Sequence, residues 1–262
     1  MKAAKKIMFY LAVIYLFFMA YAWFYSDNMI FVPHATEYQD STDTIKLTCA
    51  DGVEISAVYL ESPGSEFTFL YSHGNGEDLG DMLPFLAEYP KNGYSVLAYD
   101  YRGYGTSEGR PSEKGAYLDV DAAYDYLVNE AGVLPESIIV LGRSVGSGPS
   151  TYIASKRDSA GLVLISPFIS AFRVMTVVPL FPFDKFNNIR RIGNVKVPLL
   201  VVHGTEDPVV PFWHGRKLYE KANEPKYSRW IEAAGHNEYV MLGGEEYWEI
   251  INEFTGKLRG KL

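Results

Sequence analysis

The first hydrophobic pattern along the chain is a run at positions 7–26 that holds no charged residue and is apolar on every side. As a helix it would rise roughly 30 Å, about one hydrocarbon core. A helix apolar all round is not a surface helix, whose apolar residues keep to one stripe. Tyr10, Tyr15, Tyr21, Trp23 and Tyr25 are spread through the run, with Trp23 and Tyr25 at its end, where an interfacial aromatic belt belongs. Lys2, Lys5 and Lys6 precede it, and the next cation is Lys46, beyond Asp27, Glu37, Asp40 and Asp43. This bias predicts a single-pass anchor, residues 1–26, with its N-terminus in the cytoplasm and residues 27–262 outside it. A cleaved signal peptide is the rival, since Ala20-Tyr21-Ala22 fits a small-x-small cleavage site. Trp23, Phe24 and Tyr25 would then make a poor exposed start. No cysteine follows the run to serve as a lipoprotein anchor.

After the anchor the pattern changes to short β-branched runs alternating with stretches of helical period. Strands are expected at 44–49, 53–60, 67–72, 94–99, 137–141, 161–165, 197–202 and 227–231. Asp51-Gly52 between the first two reads as a hairpin turn. Helices are expected at 79–88, 113–130, 145–156, 212–221 and 245–258. In the second of these, Tyr117, Val120, Tyr124 and Leu127 fall on one face. The later strands are near-continuous apolar runs, as buried parallel strands are. The expectation is an α/β domain with an eight-stranded, mostly parallel sheet that opens antiparallel. Residues 169–196 break the rhythm between the sixth and seventh strands and carry Pro179, Phe181, Pro182, Phe183 and Phe186. They read as a small cap whose aromatic residues either line an acyl pocket or pack the cap.

Composition narrows the classes. Hydrophobic residues are 48% and charged residues 21% of the 262, which is globular and not disordered. The formal charge of −8, with no basic stripe, argues against a nucleic-acid partner. One cysteine, Cys49, allows neither an internal disulfide framework nor a cysteine zinc site, and it reads as a small core residue.

The chemistry concentrates in Gly142-Arg143-Ser144-Val145-Gly146. This is G-x-S-x-G between an expected strand and an expected helix, the setting in which the motif forms a nucleophile elbow. A serine needs a base, and the base needs an acid to orient it. After the seventh strand comes His203-Gly204-Thr205-Glu206-Asp207-Pro208, and after the eighth Ala233-Ala234-Gly235-His236-Asn237. Ser144, Asp207 and His236 would then meet on one edge of the sheet, in the chain order Ser, Asp, His. Glu206 is the rival acid. The backbone N–H of Val145 and that of Asn75, in Ser72-His73-Gly74-Asn75-Gly76 after the third strand, are the expected oxyanion donors.

Other signals read as structural. Gly103-Tyr104-Gly105 and Gly74-Asn75-Gly76 do not complete G-x-G-x-x-G, and no phosphate-binding loop motif occurs. His73 and His203 read as loop holders, Arg102 and Arg143 as partners in ion pairs, and no His/Asp cluster at metal-ligand spacing is evident, so no cofactor is expected.

Several longer stretches carry a resemblance. They are Tyr99-Asp100-Tyr101-Arg102-Gly103-Tyr104-Gly105, Gly109-Arg110-Pro111-Ser112-Glu113, Ser144-Val145-Gly146-Ser147-Gly148-Pro149, Ser166-Pro167-Phe168, His203-Gly204-Thr205-Glu206-Asp207 and Gly235-His236-Asn237. Together they resemble the α/β-hydrolase fold, from about residue 30 to 254, and within it the membrane-associated depalmitoylating enzymes and their bacterial relatives. Phe31-Val32-Pro33 after the apolar run matches a Phe-x-Pro stretch of several bacterial relatives. The resemblance implies a metal-free serine hydrolase of carboxylic esters or thioesters, with Ser144 as nucleophile, Asp207 as acid and His236 as base. A lipid-like acyl substrate is the expected partner. The depalmitoylating members are cytoplasmic and held by lipidated N-terminal cysteines, whereas this chain has none there. A peptidase of prolyl-oligopeptidase type and a non-catalytic interaction protein are the alternatives.

Overall fold

The structure is a computed structural model that describes residues 2–238 and 244–259. Helix α1 (Lys2–Ile30) leads into an irregular linker and then strands β1 (Thr44–Thr48) and β2 (Glu54–Leu60). They form a hairpin whose turn places Gly52 at φ +83°, a region that side chains with a Cβ rarely enter. Then come β3 (Thr68–Ser72), α2 (Leu79–Leu86), α3 (Glu88–Lys91), β4 (Ser95–Tyr99), α4 (Glu113–Asn129) and β5 (Ile138–Arg143). The chain continues through α5 (Ser147–Ala154), β6 (Gly161–Ile165), α6 (Ala171–Met175), α7 (Asn188–Arg191), β7 (Leu199–Gly204), α8 (Trp213–Lys221), β8 (Lys226–Ile231) and α9 (Glu245–Arg259).

The eight strands form one sheet in the order β1-β2-β4-β3-β5-β6-β7-β8. β2 is antiparallel to both its neighbours, and every pair from β4 to β8 is parallel. Alternate residues of each strand point to opposite faces. Leu70, Val140, Leu164 and Val201 pack under α4, α5 and α8, while Phe69, Ile139, Val163 and Leu200 pack under α2 and α9. With helices on both faces the central strands are buried throughout, which is why they read as continuous apolar runs. From β3 the chain moves to β4 on one side and then to β5 on the other. The loops that follow β3 and β5 therefore diverge and leave a crevice at the carboxyl ends of the strands.

All eight strands stand where the sequence pattern predicts, within two residues at each end. The expected helix 79–88 stops at Leu86, and a new turn, α3, starts at Glu88 with Pro90 in it. Proline is tolerated there because a first-turn residue has no intrahelical N–H bond to lose. The expected helix 145–156 opens as a 3₁₀ turn, Ser144–Gly146, before α5 begins.

The α1 helix is exposed along nearly its whole length, and among the described residues it is the one helix long and apolar enough to cross a membrane by length and composition. It leans on the segment between β6 and β7. The Tyr15 hydroxyl donates to the Leu180 carbonyl at 3.0 Å, Trp23 meets Phe183 edge-on at 4.9 Å, and Asp27 pairs with Lys185 at 3.1 Å. Within that segment Phe181 and Phe183 stack on each other and meet Phe172 edge-on, while Phe186 is buried against Phe31, Tyr117 and Phe168. These rings pack among themselves and against α1.

Candidate active site

The elbow follows from two glycines. β5 ends at Arg143 and the next residue, Ser144, takes φ +51°, a conformation that costs a residue with a Cβ on the order of 1–3 kcal/mol. A Cβ at Gly142 would lie 2.3 Å from the Gly146 carbonyl oxygen, and one at Gly146 would lie 2.1 Å from the Ser72 carbonyl oxygen. Neither backbone group can retreat, so the turn is open to glycine alone at those places. The tight packing also brings the elbow against the end of β3, where Ser72 pairs with Gly142 in the sheet.

His236 and Asp207, the expected base and acid, arrive on the loops after β8 and β7. These loops touch closely: a Cβ at Gly204 would meet the Ala234 carbonyl oxygen at 2.2 Å, and the Glu206 N–H donates to that same carbonyl. The His236 Nδ1 lies 2.7 Å from Asp207 Oδ2, and its Nε2 lies 3.0 Å from Ser144 Oγ. A carboxylate only accepts, so Nδ1 carries the proton and Nε2 is left as a lone pair facing the serine hydroxyl. Asp207 is buried and held on its other oxygen by the N–H groups of Val209 and Val210, at 2.9 and 2.8 Å. The buried His203 Nε2 lies 3.3 Å from Asp207 Oδ2 and 2.8 Å from the Val210 carbonyl. Burial pushes the Asp207 carboxyl up, but the hydrogen bonds from His203, His236 and Val210 outweigh it and hold the group well below the usual carboxylate range. Glu206, the rival acid, is exposed.

Val145 follows the serine at the start of the 3₁₀ turn, so its N–H sits where the chain turns away from the sheet. Asn75 lies on the loop after β3, beside the elbow. Its side chain is engaged elsewhere: Oδ1 accepts from the Val32 N–H and the Tyr104 hydroxyl, and Nδ2 donates to the Ile30 carbonyl.

Three contacts around the site go beyond the sequence reading. The Arg143 guanidinium, buried behind the serine, donates to Glu77 and to Asn237. Glu77 in turn accepts from the Gly74 N–H at 3.0 Å. One arginine thus ties the elbow, the Asn75 loop and the His236 loop together. The expected ion-pair role of Arg143 left its partners unnamed, although Glu77 and Asn237 stand two and one residues beyond the expected site residues Asn75 and His236. Arg102 reaches away from neighbouring Asp100 to pair with Asp51 and Asp119. Asp100 instead accepts from the Tyr38 hydroxyl at 2.5 Å and the Leu79 N–H at 2.8 Å, and burial lifts its carboxyl to about 7. The absence of an evident His/Asp cluster is corrected for one place. The potential ligand atoms of His34, Asp78 and Asp81 lie within 4.8 Å of one another, because the linker folds back over the start of α2. There Asp78 and Asp81 form a reciprocal capping pair, and His34 meets Asp81 at 2.9 Å.

Comparison with known proteins agrees with this architecture. Residues 65–183 match the family described as serine aminopeptidase, S33. The α/β-hydrolase domain-containing protein 17B of Xenopus tropicalis is 36% identical over 226 residues, covering 85% of this chain and 78% of the relative. The human 17B protein is 35% identical over 228 residues, covering 86% and 78%. The chain belongs to the α/β-hydrolase domain-containing protein 17 family. It is accordingly a serine hydrolase of the α/β-hydrolase fold. The mouse 17C protein of the same family is 40% identical over 196 residues, 74% of this hydrolase and 61% of its own length. Among solved structures, an esterase from Pyrococcus furiosus superposes with a TM-score of 0.71 at 22% identity, over 87% of this hydrolase and 97% of the esterase. An esterase from Rhodococcus gives 0.64 at 20% identity, over 83% and 100%. At such identities these two show a shared fold.

Proposed function

We propose that Ser144, His236 and Asp207 form a catalytic triad that cleaves carboxylic esters or thioesters through an acyl-enzyme. The observation that carries the reading is the unbroken chain of contacts from Asp207 Oδ2 through both nitrogens of His236 to Ser144 Oγ, at 2.7 and 3.0 Å. Ser144 Oγ attacks the acyl carbonyl carbon while its proton passes to His236 Nε2. Asp207 keeps the imidazole in the useful tautomer and stabilises the imidazolium. The N–H groups of Val145 and Asn75 donate to the oxyanion. His236 then protonates the departing alkoxide or thiolate. A water enters, gives its proton to His236 and releases the acid, with Ser144 restored. The steps need no metal or cofactor. Hydrolysis of p-nitrophenyl esters of increasing chain length, set against peptide p-nitroanilides, tests the reading. Ester turnover with labelling of Ser144 by a fluorophosphonate is the expected result. Turnover of the anilides alone would point to a peptidase, and no labelling at all would point to an interaction protein on this fold.

The same reading gives the chain two parts, an anchor at 1–26 and a catalytic domain at 27–262 that carries the cap 169–196. The anchor holds the domain on the extracytoplasmic side of the membrane. The length of α1 and the lysines in its first turns, ahead of the uncharged run 7–26, support this. The full chain is therefore expected to stay with the membrane in carbonate, while a chain starting at Asp27 is released and keeps its ester kcat. A reporter fused after Leu262 should work only outside the cytoplasm. Cytoplasmic reporter activity would reverse the orientation. Release of a mature chain that begins at Trp23 would mean a cleaved signal peptide.

A further inference from the structure

We propose that the linker following α1 clamps the loop that carries Asn75, which makes the Asn75 side chain and the Tyr104 hydroxyl positioning residues for the oxyanion donor. This rests on the reading of the Asn75 N–H as that donor. The loop has reason to need a clamp. Asn75 is exposed and flanked by Gly74 and Gly76, the latter at φ +71°, so its own backbone does little to fix the direction of the N–H.

The linker supplies what the loop lacks. Ile30 is the last residue of α1, and its carbonyl is one of those a helix end leaves without an intrahelical partner. The Asn75 amide Nδ2 donates to it at 2.8 Å. Two residues on, the Val32 N–H is shared between Asn75 Oδ1 and the Tyr104 hydroxyl, each at 2.9 Å. The Tyr104 hydroxyl closes the triangle by donating to Asn75 Oδ1 at 2.6 Å. Phe31, between the two bonded residues, is buried among Tyr101, Tyr104 and Phe186, so the linker is itself nailed to the core. The loop is held at both ends as well. Tyr101 donates to the His73 carbonyl at 2.8 Å, and His34 meets Asp81 at the start of α2. The three side-chain contacts of Asn75 thus join the C-terminal end of the anchor helix to the reacting centre. None of them uses the backbone N–H assigned to the oxyanion.

That separation makes the proposal testable. Asn75→Ala keeps the backbone donor and removes the clamp. In the detergent-solubilised full chain, kcat for a p-nitrophenyl ester is expected to fall roughly 10- to 100-fold, the scale of a misplacement of about 1 Å in a catalytic group. KM should stay within about twofold, and the melting temperature should stay close to that of the unsubstituted chain. Tyr104→Phe should give a smaller fall in the same direction. The double variant should be no worse than Asn75→Ala alone, since both changes cut one network. An unchanged kcat in Asn75→Ala, or losses that add in the double variant, would overturn the clamp. So would a loss confined to KM or to the folded fraction. Ser144→Ala run beside them separates the two levels. If Ser144→Ala is dead and Asn75→Ala is normal, the clamp fails and the serine mechanism stands. If Ser144→Ala is active, both fail.

Discussion

Ser144→Ala is expected to lower kcat for ester hydrolysis by about 10⁶-fold, the scale of loss when the nucleophile of a working triad is removed. The melting temperature should hardly move. Alanine keeps the Cβ and the same left-handed backbone at φ +51°, and the hydroxyl it lacks meets His236 across a partly open site. Stopped-flow assays sensitive to the residual rate, with a thermal melt on the same preparation, check both halves. A variant that kept a tenth of the activity would remove serine from the mechanism.

Asp207→Asn should be damaging to a lesser degree, with kcat down roughly 10³- to 10⁴-fold. The amide can donate to His236 Nδ1 and so favours the tautomer whose Nε2 carries the proton, which cannot then accept from Ser144. Glu206→Gln, one residue away but exposed, is the control and should change kcat by less than twofold; exchanged outcomes would move the acid to Glu206. Asp207 also has a consequence for pH. Its folded-state pKa lies below that of the unfolded chain, near 3.9. A group depressed in this way contributes stability above the unfolded value, and the contribution is lost as pH falls through the folded value. The unsubstituted chain should therefore lose stability on acidification relative to Asp207→Asn, and acid unfolding followed by circular dichroism would show the difference between the two narrowing.

The sheet was legible because its strands are buried on both faces. Runs such as Phe69-Leu70-Tyr71 and Ile139-Val140-Leu141 have no other use, and helices between them leave parallel pairing as the simple solution. The convergence of Ser144, Asp207 and His236 was legible for a related reason: each sits on the short stretch that follows a strand, where the sheet itself decides the neighbours. What the sequence hid were contacts made between loops far apart in the chain. Glu77, Asn237 and the Val32 N–H carry no periodicity, and their partners lie 66, 94 and 43 positions away. Nothing in Arg143 alone distinguishes a guanidinium that binds substrate from one that binds two loops. The segment between β6 and β7 was visible only as a break in rhythm. Its rings could have faced a ligand, and it took the placement of Tyr15 and Trp23 to see what they pack against.

The backbone of Ser144 sets stability against activity at a single position. Glycine there would relax a conformation that serine occupies at a cost, so a more heat-resistant elbow would be one without the proposed nucleophile. Directed evolution of this hydrolase under thermal selection alone would therefore drift toward well-folded, inert protein at this codon. A useful selection has to read turnover and survival in the same clone.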